Sequence, residues 1–238
     1  VNRWKLIKRD PSLDISEPIK PITWWIENST PMEWRETIKE AVLQWNAAFE
    51  KAGFKNAIEV KIQPDDADWD AGDIRYNVLR WTSSPNPPFG GYGPSMVNPK
   101  TGEIIAADVM LEFVFFTNRV FNDKLYSNAS SVMNTDNYNQ THDHNNFVCS
   151  AGSILHDNIN FGRTFIALNG DDYDLEELER QSMMYLIMHE VGHTLGLNHN
   201  MKSSSIFSPD ELYDNNKLKG KAISGSVMDY PALNLNGC

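Results

Sequence analysis

The chain predicts an α/β domain of the mixed α+β kind, a sheet with helices laid against it, and three observations predict it. Short runs rich in β-branched and aromatic residues recur at 22–27, 57–63, 73–82 and 103–112. A long segment with helical spacing of apolar residues separates the first two. A second helical run, interrupted by histidines, stands near the C-terminal end. Strand, helix, strand, strand and helix in that order describe a sheet with helical cover.

Taken in order, residues 1–20 read as a polar arm, basic at its start and broken by Pro11 and Pro18. The first strand, I-T-W-W-I-E, leads into a helix that Thr30 can cap, with Pro31 at its first position and Glu33 completing a capping box. Trp34, Ile38, Ala41, Val42, Trp45, Ala48 and Phe49 share one face of it, and Gly53 is its natural stop. Asp65, Asp66, Asp68, Asp70 and Asp73 follow the second strand; oxygens so crowded could hold calcium, although the spacing is not that of an EF-hand and a solvated loop is the simpler account. Residues 83–99, with P-N-P-P-F-G-G-Y-G-P, read as an irregular surface loop. Residues 113–161 read as an insertion rich in Asn, Asp and Ser. Within it His142 and His144 could bind a second metal, while His156 reads as structural. Residues 163–168 suggest a short strand, and Asp171, Asp172 or Asp174 can cap the second long helix.

A formal net charge of -11 argues against nucleic acid as a partner. No run of eighteen apolar residues is present to span a membrane. The chain starts without Met or a signal peptide, which reads as a processed piece of a longer parent carrying other domains. Cys149 and Cys238 could form one disulfide, and neither sits in a C-x-x-C or metal-binding pattern.

The chemistry concentrates in M-M-Y-L-I-M-H-E-V-G-H-T-L-G-L-N-H, residues 183–199. His189 and His193, four apart, stack on one helix face and can grip one zinc ion. Gly196 lets the helix stop, so that His199 can close a three-histidine set with a fourth position left for water. Zinc would acidify that water, and Glu190 would take its proton and pass it to a leaving amine. Three core histidines around an unliganded carboxylate would be costly to bury.

This eleven-residue pattern, His189 to His199, resembles the zinc signature of the metzincin metallopeptidases. Ser226-Val227-Met228-Asp229-Tyr230 is similar to their methionine turn. Most alike is the catalytic domain of large exported bacterial zinc-dependent metalloproteases. The resemblance implies a zincin-like fold: a twisted, mostly parallel five-stranded sheet with an antiparallel edge strand, two long helices and a small irregular C-terminal subdomain. It implies an upper catalytic subdomain at 21–199 and a lower one at 200–238. Met228 would floor the three imidazoles, and Tyr230 would stabilise an oxyanion. Ile104, Ile105, Ala106, Ala107, Asp108, Val109, Met110 and Leu111 would form the edge that pairs with an extended peptide or protein substrate. The activity implied is zinc-dependent endopeptidase, with a catalytically silent zincin-fold binding or structural module, or a hydrolase of a non-peptide amide, as alternatives. A secreted, periplasmic or cell-surface location is implied as well. Departures from the pattern are the long insertion and the lack of a recognisable propeptide switch cysteine.

Overall fold

The computed structural model describes residues 1–84, 91–112, 149–169 and 175–234. Seven strands form one mostly parallel sheet: β1 (Arg3–Trp4), β2 (Ile22–Ile26), β3 (Ile58–Ile62), β4 (Asn77–Thr82), β5 (Gly91–Tyr92), β6 (Ser95–Val97) and β7 (Glu103–Glu112). The order is β1-β7-β4-β2-β3, with β5 and β6 added antiparallel to β7. Parallel register sets Trp24 beside Val60, Trp25 beside Val78 and Leu79 beside Val109.

Helices α1 (Met32–Leu43), α2 (Trp45–Lys51), α3 (Ala151–Asn169) and α4 (Leu175–Thr194) supply the cover. Ile22, Trp24 and Ile26 of β2 are buried with Leu79, Val109 and Leu111 against Ile38, Ala41 and Val42 of α1 and Met183, Leu186, Ile187 and Val191 of α4. Each such side chain contributes roughly 1.5–3 kcal/mol on full burial, so this layer dominates the stability of the domain. Polar clamps add register. Asn46 donates to the Ile58 carbonyl and accepts from the Ile58 amide, which ties α2 to β3. The Trp45 indole donates to the Met188 carbonyl at 3.1 Å and ties the first helical unit to α4.

Several expectations need correction. The sheet has seven strands rather than five, because the arm and the Pro/Gly-rich segment both contribute. Arg3–Trp4 lies parallel to Glu103–Ile104, and residues after Lys8 fold back so that Lys8 bridges Pro18. Strands of two or three residues are too short to show alternation, so nothing in their composition marks them. Strand β7 runs parallel to β4, and the antiparallel part of the sheet is β5 and β6. Ile104 to Leu111 therefore is not a free edge. Asp108 to Leu111 pair with β4 while Met110 and Leu111 also pair with β5, Ile104 pairs with β1 on one side and β6 on the other, and Ala106 and Ala107 pair with β6.

The first helix lacks the expected cap. No side chain bonds its first turn, and Thr30 is buried. Arg35 serves the approach instead, donating to the carbonyls of Asn28 and Thr30 at 2.7 and 2.8 Å. Gln44 divides what the spacing predicts as one helix into α1 and α2. Residues 163–168, expected as a strand, lie inside α3. Helix α3 packs on α4, and Arg163 pairs with Glu179 across the contact. His142, His144, Cys238 and the candidate caps Asp171, Asp172 and Asp174 lie outside the described residues.

Below the sheet, residues 200–234 fold as a 3-10 turn (Met201–Ile206) and two short helices, α5 (Pro209–Leu212) and α6 (Asn215–Leu218). Ser208 and Glu211 make a reciprocal capping box on α5. Asp229, 2% exposed, accepts hydroxyls from Ser203, Ser204 and Ser224 on Oδ2 and the Tyr230 amide on Oδ1. Burial by itself would raise this carboxyl, yet these bonds hold it below the usual range.

Candidate metal centre

Met183, Leu186, Ile187 and Val191 draw α4 into the core, and this places His189 and Glu190 wholly inside. His193, one turn on, lies on the face of His189, with ring centroids 4.9 Å apart. The helix then ends in a Schellman cap. The Gly196 amide bonds the His193 carbonyl, and the Leu197 amide bonds the Gly192 carbonyl. Gly196 has φ +91°, a left-handed conformation that suits glycine. The reversed chain returns His199 to its partners, with Nε2 3.1 Å from His193 Nε2.

A fourth donor comes from the head of α3. Cys149 Sγ lies 3.3 Å from His189 Nε2 and 3.6 Å from His199 Nε2. The four ligand atoms of Cys149, His189, His193 and His199 all lie within 4.8 Å of one another. A tetrahedral zinc ion needs nitrogen–nitrogen edges of roughly 3.3 Å and sulfur–nitrogen edges of roughly 3.6 Å, given its ordinary bond lengths. The donor set therefore fits zinc in size and in kind, one soft thiolate with three imidazoles. The imidazoles are aimed beforehand. His189 Nδ1 lies 2.7 Å from the Val227 carbonyl and His193 Nδ1 3.0 Å from the Leu197 carbonyl, which leaves each Nε2 for the ion.

Burial pushes His189 down to about 4, and it lowers His193 and His199 as well, so all three are neutral and ready to ligate. Burial, reinforced by the neighbouring Glu190 carboxyl, pushes the Cys149 thiol up to about 12. A divalent ion inverts that preference and holds sulfur as thiolate.

Met228 is 2% exposed and packs under α4 at Gly192. A Cβ at Gly192 would run into Met228 Sδ and come within 3.0 Å of the Trp45 ring, so the helix and the methionine turn meet only because this residue is glycine. Tyr230 Oη lies 2.7 Å from His199 Nε2 and 3.2 Å from Cys149 Sγ, and it accepts the Ser150 amide. The Glu190 side chain is enclosed beside the cluster, and burial pushes its carboxyl up to about 7 although the Cys149 thiol and the Gly93 amide beside it pull the other way.

Peptide hydrolysis by a zinc-bound water requires a fourth position open to water. Here the grouped donors are one thiol and three imidazoles, Glu190 contributes no atom to them, and Cys149 Sγ holds the fourth place. This overturns the endopeptidase expectation. It leaves Glu190 and Tyr230 with positions beside the cluster rather than a hydrolytic task, and it favours a non-catalytic or structural role.

Cys149 is the member of the cluster that sequence reasoning missed. As a single cysteine forty residues from His189, it carries no spacing signal. Among the described residues it is a free, buried thiol. The acidic residues of 65–73 form no comparable group among the described residues. Asp73 pairs with Arg75, and Asp70 accepts the Gly72 amide. His156 is buried and bonds Asn160 within α3.

Fold and site together define a mixed α/β domain with a cysteine–histidine cluster suited to a divalent metal. Residues 171–236 match the profile of a domain family described as Met-zincin. No curated protein and no solved structure matches the chain. No helix among the described residues is long and apolar enough to cross a membrane.

Proposed function

We propose that this domain is a metal-binding module in which one zinc ion is enclosed by Cys149, His189, His193 and His199. The observation that carries the reading is the cysteine sulfur in the fourth place of the cluster. Four protein ligands are the mark of a structural zinc site, whereas a catalytic one keeps a position for water.

The ligands come from separate pieces of chain: the head of α3, the helix α4 and the segment beyond Gly196. When bound, zinc holds the sulfur as thiolate and cross-links these pieces. His189 also leans on Val227, so the cross-link reaches the methionine turn. The resemblance to exported metalloproteases supports placing the module in a larger secreted or surface protein, where it binds or braces its neighbours rather than cutting them.

The test is metal analysis of the purified chain with thermal melts before and after chelation, alongside a peptide-library digest. The expected outcome is one zinc per chain, a marked fall in Tm on chelation and no cleavage of the library. A chain that takes up no zinc, or one that cleaves peptides in a zinc-dependent way, would overturn the reading.

A further inference from the structure

We infer that Trp4, on the N-terminal arm, is a positioning residue of the metal centre. The inference rests on the metal-binding reading and extends it to a part of the chain remote in sequence. A helix leaves its last carbonyls without intrahelical partners. The Schellman cap satisfies two of them, Gly192 and His193, through the amides of Leu197 and Gly196. The carbonyl of Thr194, a residue with no exposed surface, is met by the Trp4 indole N–H at 2.9 Å, across 190 residues of sequence.

The arm also braces the turn itself. Strand β1 is pinned to β7 by its pairing at Arg3 and Trp4, and the Arg3 amide bonds the Gly102 carbonyl. That pairing presses the Asn2 backbone against Gly196 so closely that a Cβ there would strike the Asn2 carbonyl. Gly196 is thus held by its own φ from one side and by the arm from the other. The turn so fixed carries two ligands. Leu197 orients His193 through its carbonyl, and His199 follows directly. His199 is the most exposed of the three histidines, so the turn before it, with the Asn200 amide bonded to the Met228 carbonyl after it, sets its place.

The experiment compares zinc affinity, by competition with a chromophoric chelator, in the wild-type chain, Trp4→Phe and Ile38→Val. Trp4→Phe keeps the aromatic packing and removes only the donor. Ile38→Val is a core lesion in α1 away from the ligands and controls for lost stability. Trp4→Phe is expected to weaken zinc binding about tenfold, the lower end of what supporting partners of metal ligands contribute. Ile38→Val is expected to leave affinity unchanged. A Trp4→Phe affinity equal to wild type, or an equal loss in both variants, would overturn the inference. Amide exchange at Leu195, Gly196 and Leu197 in the metal-free chain supplies a readout that needs no metal. It should quicken in Trp4→Phe, and unchanged exchange there would count against Trp4 whatever the outcome for zinc. A wild-type chain that binds no zinc, together with quickened exchange in Trp4→Phe, would sink the metal reading while leaving the brace standing.

Discussion

Cys149 Sγ and His189 Nε2 stand 3.3 Å apart although forty residues separate them, a sulfur–nitrogen spacing that one zinc ion can bridge. The thiol belongs to the head of α3, where the Ala151 amide points at it, and the imidazole to the buried middle of α4. Everything else at the centre is arranged around that juxtaposition.

Replacing Cys149 by alanine should therefore weaken zinc binding by more than the 10–100-fold that loss of a mere supporting partner costs. Cobalt substitution provides the check. The wild-type complex should show a sulfur-to-cobalt charge-transfer band that Cys149→Ala lacks. Identical spectra would show that the sulfur is not a ligand.

Zinc itself should stabilise the fold by mass action, by about 4 kcal/mol at a thousandfold excess over Kd. Urea unfolding at stepped zinc concentrations reads this directly. A midpoint that ignores zinc would mean that the ion does not bind the folded chain in preference to the unfolded one.

In the metal-free chain the contribution of His189 should be destabilising in mild acid, and that of Glu190, raised to about 7, should oppose it as the pH falls from about 7 to 4.5. Burial holds His189 down to about 4, against 6.5 for a free imidazole. Between those values the unfolded chain binds the extra proton, so the His189 share of stability falls as the pH drops from about 6.5 to about 4 and levels below it. The loss from this residue is roughly 3 kcal/mol. Denaturation midpoints of the apo wild type and a His189→Gln variant at several pH values test the sign: the stability difference between them should shrink as the pH falls from about 6.5 to about 4.

Gly192→Ala should destabilise by about 1–3 kcal/mol through overpacking, since its Cβ meets Met228 and Trp45 with no free space. A thermal melt suffices. Gly220→Ala offers a contrast, because nothing lies within 4 Å of a Cβ there and only its positive φ resists the change.

Asp229→Ala should free the lower segment. Three serine hydroxyls converge on one carboxylate oxygen, and their loss leaves the 3-10 turn and the methionine turn without their common anchor. Limited proteolysis should then cut within 200–226 while α4 stays protected. Uncut protein at wild-type rates would assign the anchoring elsewhere.

The histidine triplet was legible because its spacing is local: four residues on a helix and a glycine turn place three rings together by geometry alone. The burial of α4 was legible for the same reason, in its run of apolar residues. Cys149 was not, since its approach to His189 is made by tertiary packing. Long strands such as β2 and β7 carried recognisable composition, whereas the two residues of β5 and the three of β6 did not. The Trp4 contact was invisible because indole donors have no preferred partner along a sequence. The direction of β7 was misread because strand pairing depends on which short neighbours fold back, and those neighbours could not be seen.

The enclosure of β7 also governs how this sheet meets other chains. One rim consists of short pieces, Gly91–Tyr92 and Ser95–Val97, with Pro94 between them and too little ladder to recruit an added strand. The opposite rim is β3, where Glu59 and Lys61 pair with each other along a five-residue strand. Among the described residues neither margin offers the long apolar template on which β-proteins polymerise. A crowded solution of this domain should accordingly stay free of fibrils, with its sheet closed to copies of itself.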